Sequence, residues 1–246
     1  IHPPLPHSMS EPKKTAFFKA AEKTNHSAIQ RRPSLDEEVY ETLLAQLISL
    51  KIAPGNRIAV DALVREMGVS QTPIRAALIR LENEGLVIKT HNVGYSAAPM
   101  PSRAHFEQIY DLRLLLEPYA AKCTAEAVTD EVREELAALD QAMATPNSDD
   151  NKRAYSQFAL LDAKFHNLIA TASGNRLVAE ALARSYAHMH LFRLRYHSVV
   201  TEGAVQEHAA IMKGIIAGDG QAAKEAMEEH LLRSLGRWKP FFDATP

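Results

Sequence analysis

From residue 34 onward the apolar residues of this chain recur mostly with a helical period. Behind the stretch "SLDE", Val39, Leu43, Leu44, Leu47 and Ile48 form one stripe that stops before "APGN", which predicts a first helix with a capping box: the Ser34 hydroxyl serves one open amide and Glu37 reaches back to another. A short second helix is predicted from about Asp61 to Met67, closed by Gly68. The stretch "VSQTPIRAALIRLENEGL" then opens a third, with Ser70 as N-cap, Pro73 in the first turn and Gly85 at the end. "LVIKT" and "YSAAP" flank "HNVG", which reads as two short strands around a tight turn.

After Pro101 the strand signals stop. Helical patterns run over about 102–127, 130–145, 150–173, 175–197, 202–217 and 220–238, with breaks at "TPNSDD", "SGN", the Val199–Glu202 region and "AGDG". The expected fold class is therefore mainly α: a winged helix-turn-helix over 34–101, followed over 102–246 by an all-helical antiparallel bundle of about six helices. Residues 1–33 hold five prolines and show no sustained period. They read as a flexible arm, whose basic residues suit either a solvated tail or a contact to a DNA backbone.

Composition narrows the class. A chain of 246 residues with 46% hydrophobic and 24% charged residues is that of a folded globular protein rather than a disordered or fibrous one. The one cysteine, Cys123, admits no intramolecular disulfide and no Cys-only zinc site, and favours a reducing, cytoplasmic setting. No apolar run is long enough for a membrane span, so no membrane partner is expected. Residues 1–101 carry 12 Lys+Arg against 10 Asp+Glu, and residues 102–246 carry 16 against 20. The excess of positive charge sits at the end that would meet an anionic partner.

Helix, helix, wing is an arrangement suited to double-stranded DNA. A helix beginning at Ser70 can present its N-terminal side chains to the major groove while its amides face phosphate. Gln71 can pair with adenine and Arg75, one turn on, with guanine; Thr72 suits a phosphate or a thymine methyl. Arg65 on the second helix is a further candidate contact. Lys89 and His91 sit where a wing touches backbone or minor groove, and Gly94 permits its turn. The segment "GVSQTPIRAALIRLENEGLV" resembles the DNA-binding signature of GntR-superfamily transcription regulators, close to G-V-S-R-T-P-V-R-E-A-L-x-R-L-x-x-E-G-L, and the likeness covers 38–99. Two positions depart from it. Gln71 stands where an arginine is common, which bears on the operator sequence, and Ala76 stands where a glutamate is common.

A second set of residues lies in the bundle. In "FALLDAKFHNLIATASGN", Asp162 and His166 share the apolar side of one helix, where an unpartnered charge is costly. His208 shares a stripe with Val205, Ile211, Met212 and Ile215, and His230 shares one with Ala223, Met227, Leu231 and Ser234. Mutual hydrogen bonds, an acid–base pair in an enzyme, or a metal ion could each explain such groups. Four of them on three helices favour a divalent cation, which satisfies all at once; neutral imidazoles with a carboxylate suit Zn, Ni, Fe or Mn. His188, His190 and His197 read as helix packing or the rim of a wet cavity.

The stretches "DAKFHNLIATASGN", "EHAAIMKGIIAGDGQAA" and "AMEEHL" resemble the FCD effector domain of FadR-type GntR regulators, over about 104–236. The family's Asp-x-x-x-His and two later histidines fall on Asp162, His166, His208 and His230. "YDLRLLLEPYAA" resembles its first effector-domain helix and places its arginine at Arg113. Six helices match the VanR-like branch. The resemblance implies a homodimer that reads a two-fold operator, with a metal that helps hold a small organic acid and Arg113 adding a charge-assisted fork. Arg113 and Glu117 are also one turn apart, the spacing of an ordinary intrahelical ion pair. The reading is a ligand-responsive transcription regulator and not an enzyme; the alternatives are a direct metal sensor and a metal-dependent hydrolase.

Overall fold

The computed structural model describes residues 34–145, 151–185 and 199–243. The expectations for the arm over 1–33, and for His188, His190 and His197, fall outside them. The first helix, α1 (Leu35–Ile48), starts as expected, with Ser34 Oγ accepting from the Glu37 amide at 3.3 Å. The reciprocal half of the capping box differs: the Glu37 carboxylate accepts from Arg80 Nη1 at 2.9 Å. A charged partner from another helix outcompetes a local amide.

Helices α2 (Val60–Met67) and α3 (Gln71–Asn83) follow, with Gly68 left-handed at φ 67° where α2 ends. The stripe read from the sequence packs α1 on α3 through Leu43, Leu44, Leu47, Ile74 and Leu78, all fully buried. A polar brace ties the two further. Tyr40 Oη donates to the Glu84 carboxylate, 2.8 Å to Oε2, and the Arg80 guanidinium lies 3.4 Å above the Tyr40 ring. The hairpin strands β2 (Val87–Thr90) and β3 (Gly94–Ala97) are present, but β1 (Arg57–Ile58) pairs antiparallel with β3 to give a three-stranded sheet of order β1-β3-β2. Two residues carry no readable alternation, so sequence periodicity could not reveal β1. Asn92 (φ 59°) and Gly94 (φ 108°) turn the wing.

The described bundle consists of α4 (Arg103–Glu126), α5 (Asp130–Ala144), α6 (Asn151–Ala172), α7 (Arg176–Ser185), α8 (Val199–Ala217) and α9 (Gly220–Asp243). Two boundaries depart from expectation. The Val199–Glu202 region, read as a break, is the first turn of α8, where β-branched residues cost only a few tenths of the propensity scale. Helix α9 runs on to Asp243. Helix α9 packs along both α4 and α8, and α6 packs on α4, α5 and, from the winged module, α1.

The α8–α9 contact depends on Gly214. A Cβ there would lie 2.6 Å from the Ala223 amide nitrogen and 2.8 Å from its Cα, so the two backbones approach as closely as glycine allows. Overpacking such a contact costs about 1–3 kcal/mol, more than the few tenths of a kcal/mol that valine gains over glycine in helix propensity. Gly214→Val should therefore lower the thermal unfolding midpoint by several degrees. A midpoint that is unchanged or raised contradicts the close approach.

Candidate functional site

Three helices meet at one polar point inside the bundle. One ring nitrogen each from His166 on α6, His208 on α8 and His230 on α9 lie within 4.8 Å of one another, and all three residues are buried. The ring centroids are 4.8–5.3 Å apart. Phe165 stacks on His208 at 4.6 Å and closes one side of the cluster with an apolar face. Asp162, one turn before His166 and also buried, places Oδ1 3.4 Å from His208 Nε2. The structure thus brings together all four residues singled out from the sequence, with the tight cluster formed by the three imidazoles and Asp162 set against it through His208.

Two carboxylates fix the rings. Glu117 Oε2 is 2.6 Å from His166 Nδ1, and Glu207 Oε2 is 2.8 Å from His230 Nδ1. A carboxylate at Nδ1 holds the N–H there, so the lone pair resides on Nε2, the tautomer of a metal-ligating histidine. Each glutamate is itself held by an arginine. Arg113 Nε donates to Glu117 Oε1 at 2.5 Å, and Arg237 donates from Nη1 and Nη2 to the two Glu207 oxygens at 2.6 and 2.8 Å. The result is two Arg–Glu–His chains, one from α4 to α6 and one linking α8 and α9. Gly203, one turn before Glu207 on α8, lies beside this pair: a Cβ there would meet Arg237 Nη1 at 3.4 Å, an ordinary contact distance.

The electrostatics follow from this geometry. Burial opposes the Arg113 charge, yet the adjacent Glu117 carboxylate holds the guanidinium above its ordinary value. Burial likewise raises Glu207, but hydrogen bonds from Arg237 and His230 outweigh it and bring the carboxyl down to about 2. Burial pushes His230 below the usual histidine value, against the Glu207 hydrogen bond, which favours the charged form. Above these chains, Tyr110 and Ser234 share a hydrogen bond of 2.7 Å that ties α4 to α9.

Sequence reading assigned Glu117 only to an ion pair with Arg113, and it did not single out Glu207 or Arg237. The signals were present but weak. Glu207 directly precedes a candidate ligand, and Arg237 lies two turns beyond His230 on the same helix face.

On the winged module the remaining candidates are on the surface. Arg65, Ser70, Gln71, Thr72, Arg75, Lys89 and His91 are all exposed, and Gly94 sits in the wing turn. Ser70 occupies the N-cap position of α3 without a side-chain capping bond. Lys89 Nζ stands 5.7 Å above the Tyr95 ring. Gln71 is engaged at both ends, its Nε2 donating to Asp61 Oδ1 at 2.8 Å and its Oε1 accepting from Arg75 Nη2 at 3.1 Å.

A winged helix-turn-helix joined to a helical bundle with a polar centre defines a DNA-binding transcription regulator. The chain belongs to the GntR family of bacterial regulatory proteins: the gntR-family profile matches residues 35–96 and the FCD domain profile matches residues 108–233. It is 30% identical over 202 residues, 79% of this chain and 80% of the relative, to an uncharacterised helix-turn-helix transcriptional regulator in an unstable DNA locus of Streptomyces ambofaciens. It is 28% identical to the uncharacterised regulator YdhC of Bacillus subtilis (strain 168), over 78% of this chain and 86% of that one. Among solved structures, Escherichia coli McbR/YncC shares the fold, with a TM-score of 0.60 at 19% identity, covering 85% of this chain and 99% of that chain. Among the described residues no helix is long and apolar enough to cross a membrane.

Glu117→Ala strands a guanidinium that is only 2% exposed, and removing one partner of a buried pair costs about 3–5 kcal/mol. Urea unfolding should show a loss of that order. A loss below about 1 kcal/mol, the worth of a surface pair, contradicts the buried chain.

Proposed function

We propose that His166, His208 and His230, joined by Asp162, hold one divalent transition-metal ion (Zn, Ni, Fe or Mn) and that a small organic acid binds there to modulate operator binding. The observation that carries this reading is the convergence of three buried imidazoles from three helices, two of them braced at Nδ1 by carboxylates. The donor set fits such an ion, since nitrogen ligands with one carboxylate suit a borderline metal and do not suit an all-oxygen calcium site. When bound, the ion supplies a Lewis-acidic position for a carboxylate oxygen. Arg113, whose charge is felt at both Asp162 and His230, contributes the second attraction for that acid.

The division of labour follows the elements: residues 34–101 read DNA and residues 102–246 receive the ligand. Arg65, Ser70, Gln71, Thr72, Arg75, Lys89, His91 and Gly94 form the DNA-facing set. Helix α6, bearing Asp162 and His166, packs on α1, and α1 is braced to α3 by Tyr40, Arg80 and Glu84. A ligand that binds one arrangement of α6 better than another biases the DNA-reading head by that difference in affinity. The working unit is a homodimer on a two-fold operator. Leu115 and Tyr119 on α4 and Leu177 on α7, two helices in mutual contact, are exposed to 74%, 44% and 75%, apolar surface that association would cover. The chain acts as a switch rather than an enzyme.

The full-length protein should carry stoichiometric metal by elemental analysis, and His208→Ala should lose it while keeping its helical circular dichroism. Calorimetric titration with a panel of mono-, di- and tricarboxylic acids should give a ligand whose binding disappears with the metal. A folded His208→Ala protein with full metal content overturns the site.

A further inference from the structure

The exposed hydrogen bonds at the start of α3 form a chain that sequence reading does not anticipate. Asp61 Oδ1 accepts from Gln71 Nε2 at 2.8 Å, and Gln71 Oε1 accepts from Arg75 Nη2 at 3.1 Å and from Arg75 Nε at 3.4 Å. Asp61 lies on α2 and the other two on α3, one turn apart, so the chain crosses between the two helices of the helix-turn-helix. An amide has a donor end and an acceptor end. Asp61, an acceptor only, admits the Nε2 end, and Arg75, a donor only, admits the Oε1 end. Reversing the Gln71 amide would set oxygen against carboxylate and NH2 against guanidinium, so its orientation is fixed by charge.

Two consequences follow for the surface that meets DNA. Gln71 Oε1 takes the side edge of the Arg75 guanidinium, Nε with Nη2, and leaves the end-on edge, Nη1 with Nη2, to approach a base. That edge matches the paired O6 and N7 acceptors of guanine. The Gln71 amide, meanwhile, is spent on buttressing Arg75 instead of making a pair of bonds to adenine. The Asp61 carboxylate gains nothing from the phosphate backbone, which repels it, so the role that suits it is orientation.

We propose that Asp61 is a specificity-determining residue of this regulator: acting through Gln71, a positioning residue, it directs the Arg75 fork to one guanine in the operator. The inference rests on the reading of α3 as the DNA-facing helix. It goes further in replacing a glutamine that reads adenine with a three-residue unit that reads guanine.

Selection of bound duplexes from a randomised DNA library by the full-length wild-type protein gives the preferred sequence. Binding of that duplex and its single-base variants is then measured by fluorescence anisotropy for wild type, Arg75→Ala, Asp61→Ala and Gln71→Ala, with thermal melts confirming that each variant is folded. Arg75→Ala is expected to erase the preference for guanine at one base pair of each half-site, a loss of roughly tenfold or more in discrimination. Asp61→Ala and Gln71→Ala are expected to relax the preference at that same base pair several-fold, and the double variants that combine either with Arg75→Ala, measured the same way, should show no further relaxation beyond Arg75→Ala alone. If Asp61→Ala shifts affinity for every duplex alike and leaves the guanine preference intact, Asp61 is only a charge near the backbone and the proposal fails with the DNA-facing helix still standing. If Arg75→Ala also leaves the preference untouched, the assignment of α3 fails with it.

Discussion

Burying ionisable groups costs several kcal/mol apiece unless each is met by a partner of opposite character, and the interior of this bundle buries seven of them around one point. Three imidazoles, Asp162, Glu117, Glu207 and Arg113, with the half-buried Arg237 behind Glu207, share a region bounded by α4, α6, α8 and α9. The helices are placed as this set demands. Gly214 lets α8 and α9 approach until Glu207 reaches His230. Phe165 supplies the apolar wall on which His208 stacks. The polar centre and the packing are one structure, since the braces that orient the rings also join the helices.

The winged module follows the opposite rule. Apart from polar groups such as those of Tyr40 and Gln46 its interior is apolar, and most of its polar groups lie at the surface. The Tyr40–Arg80–Glu84 brace fixes one end of α3 against α1, while the Asp61–Gln71–Arg75 chain organises the other end on the surface. Helix α1 touches both α3 and α6, the helix of Asp162 and His166. In the proposed function, where a ligand at α6 acts on DNA binding, α1 is the packed element that links the two.

Much of this was legible in the sequence because periodicity reports which face of a helix is buried. The stripe from Val39 to Ile48, the sharp stops at Gly68 and Gly85, and the inward faces of Asp162, His166, His208 and His230 all follow from spacing alone. What escaped was whatever depends on a neighbour distant in sequence. β1 is two residues long and exists only because β3 lies beside it. Glu37 caps nothing because Arg80 arrives from 43 residues away. Glu117 read as the partner of Arg113, which it is, yet its second oxygen serves His166 from 49 residues away. Gln71 read as free to meet a base because its spacing shows nothing of Asp61 on the preceding helix. Intrahelical pairs can be read at three or four residues; bridges between helices require the fold.

The central claim is that donors on three helices converge on a single cation through the nitrogens that the two glutamates leave available. Anomalous diffraction at the absorption edge of the metal retained by the purified protein tests it most directly. One peak per chain is expected, bonded at about 2.0–2.2 Å to Nε2 of both His166 and His230 and to a ring nitrogen of His208, with Asp162 in contact. A peak elsewhere on the protein, or bonding through the Nδ1 atoms of His166 and His230, would contradict it.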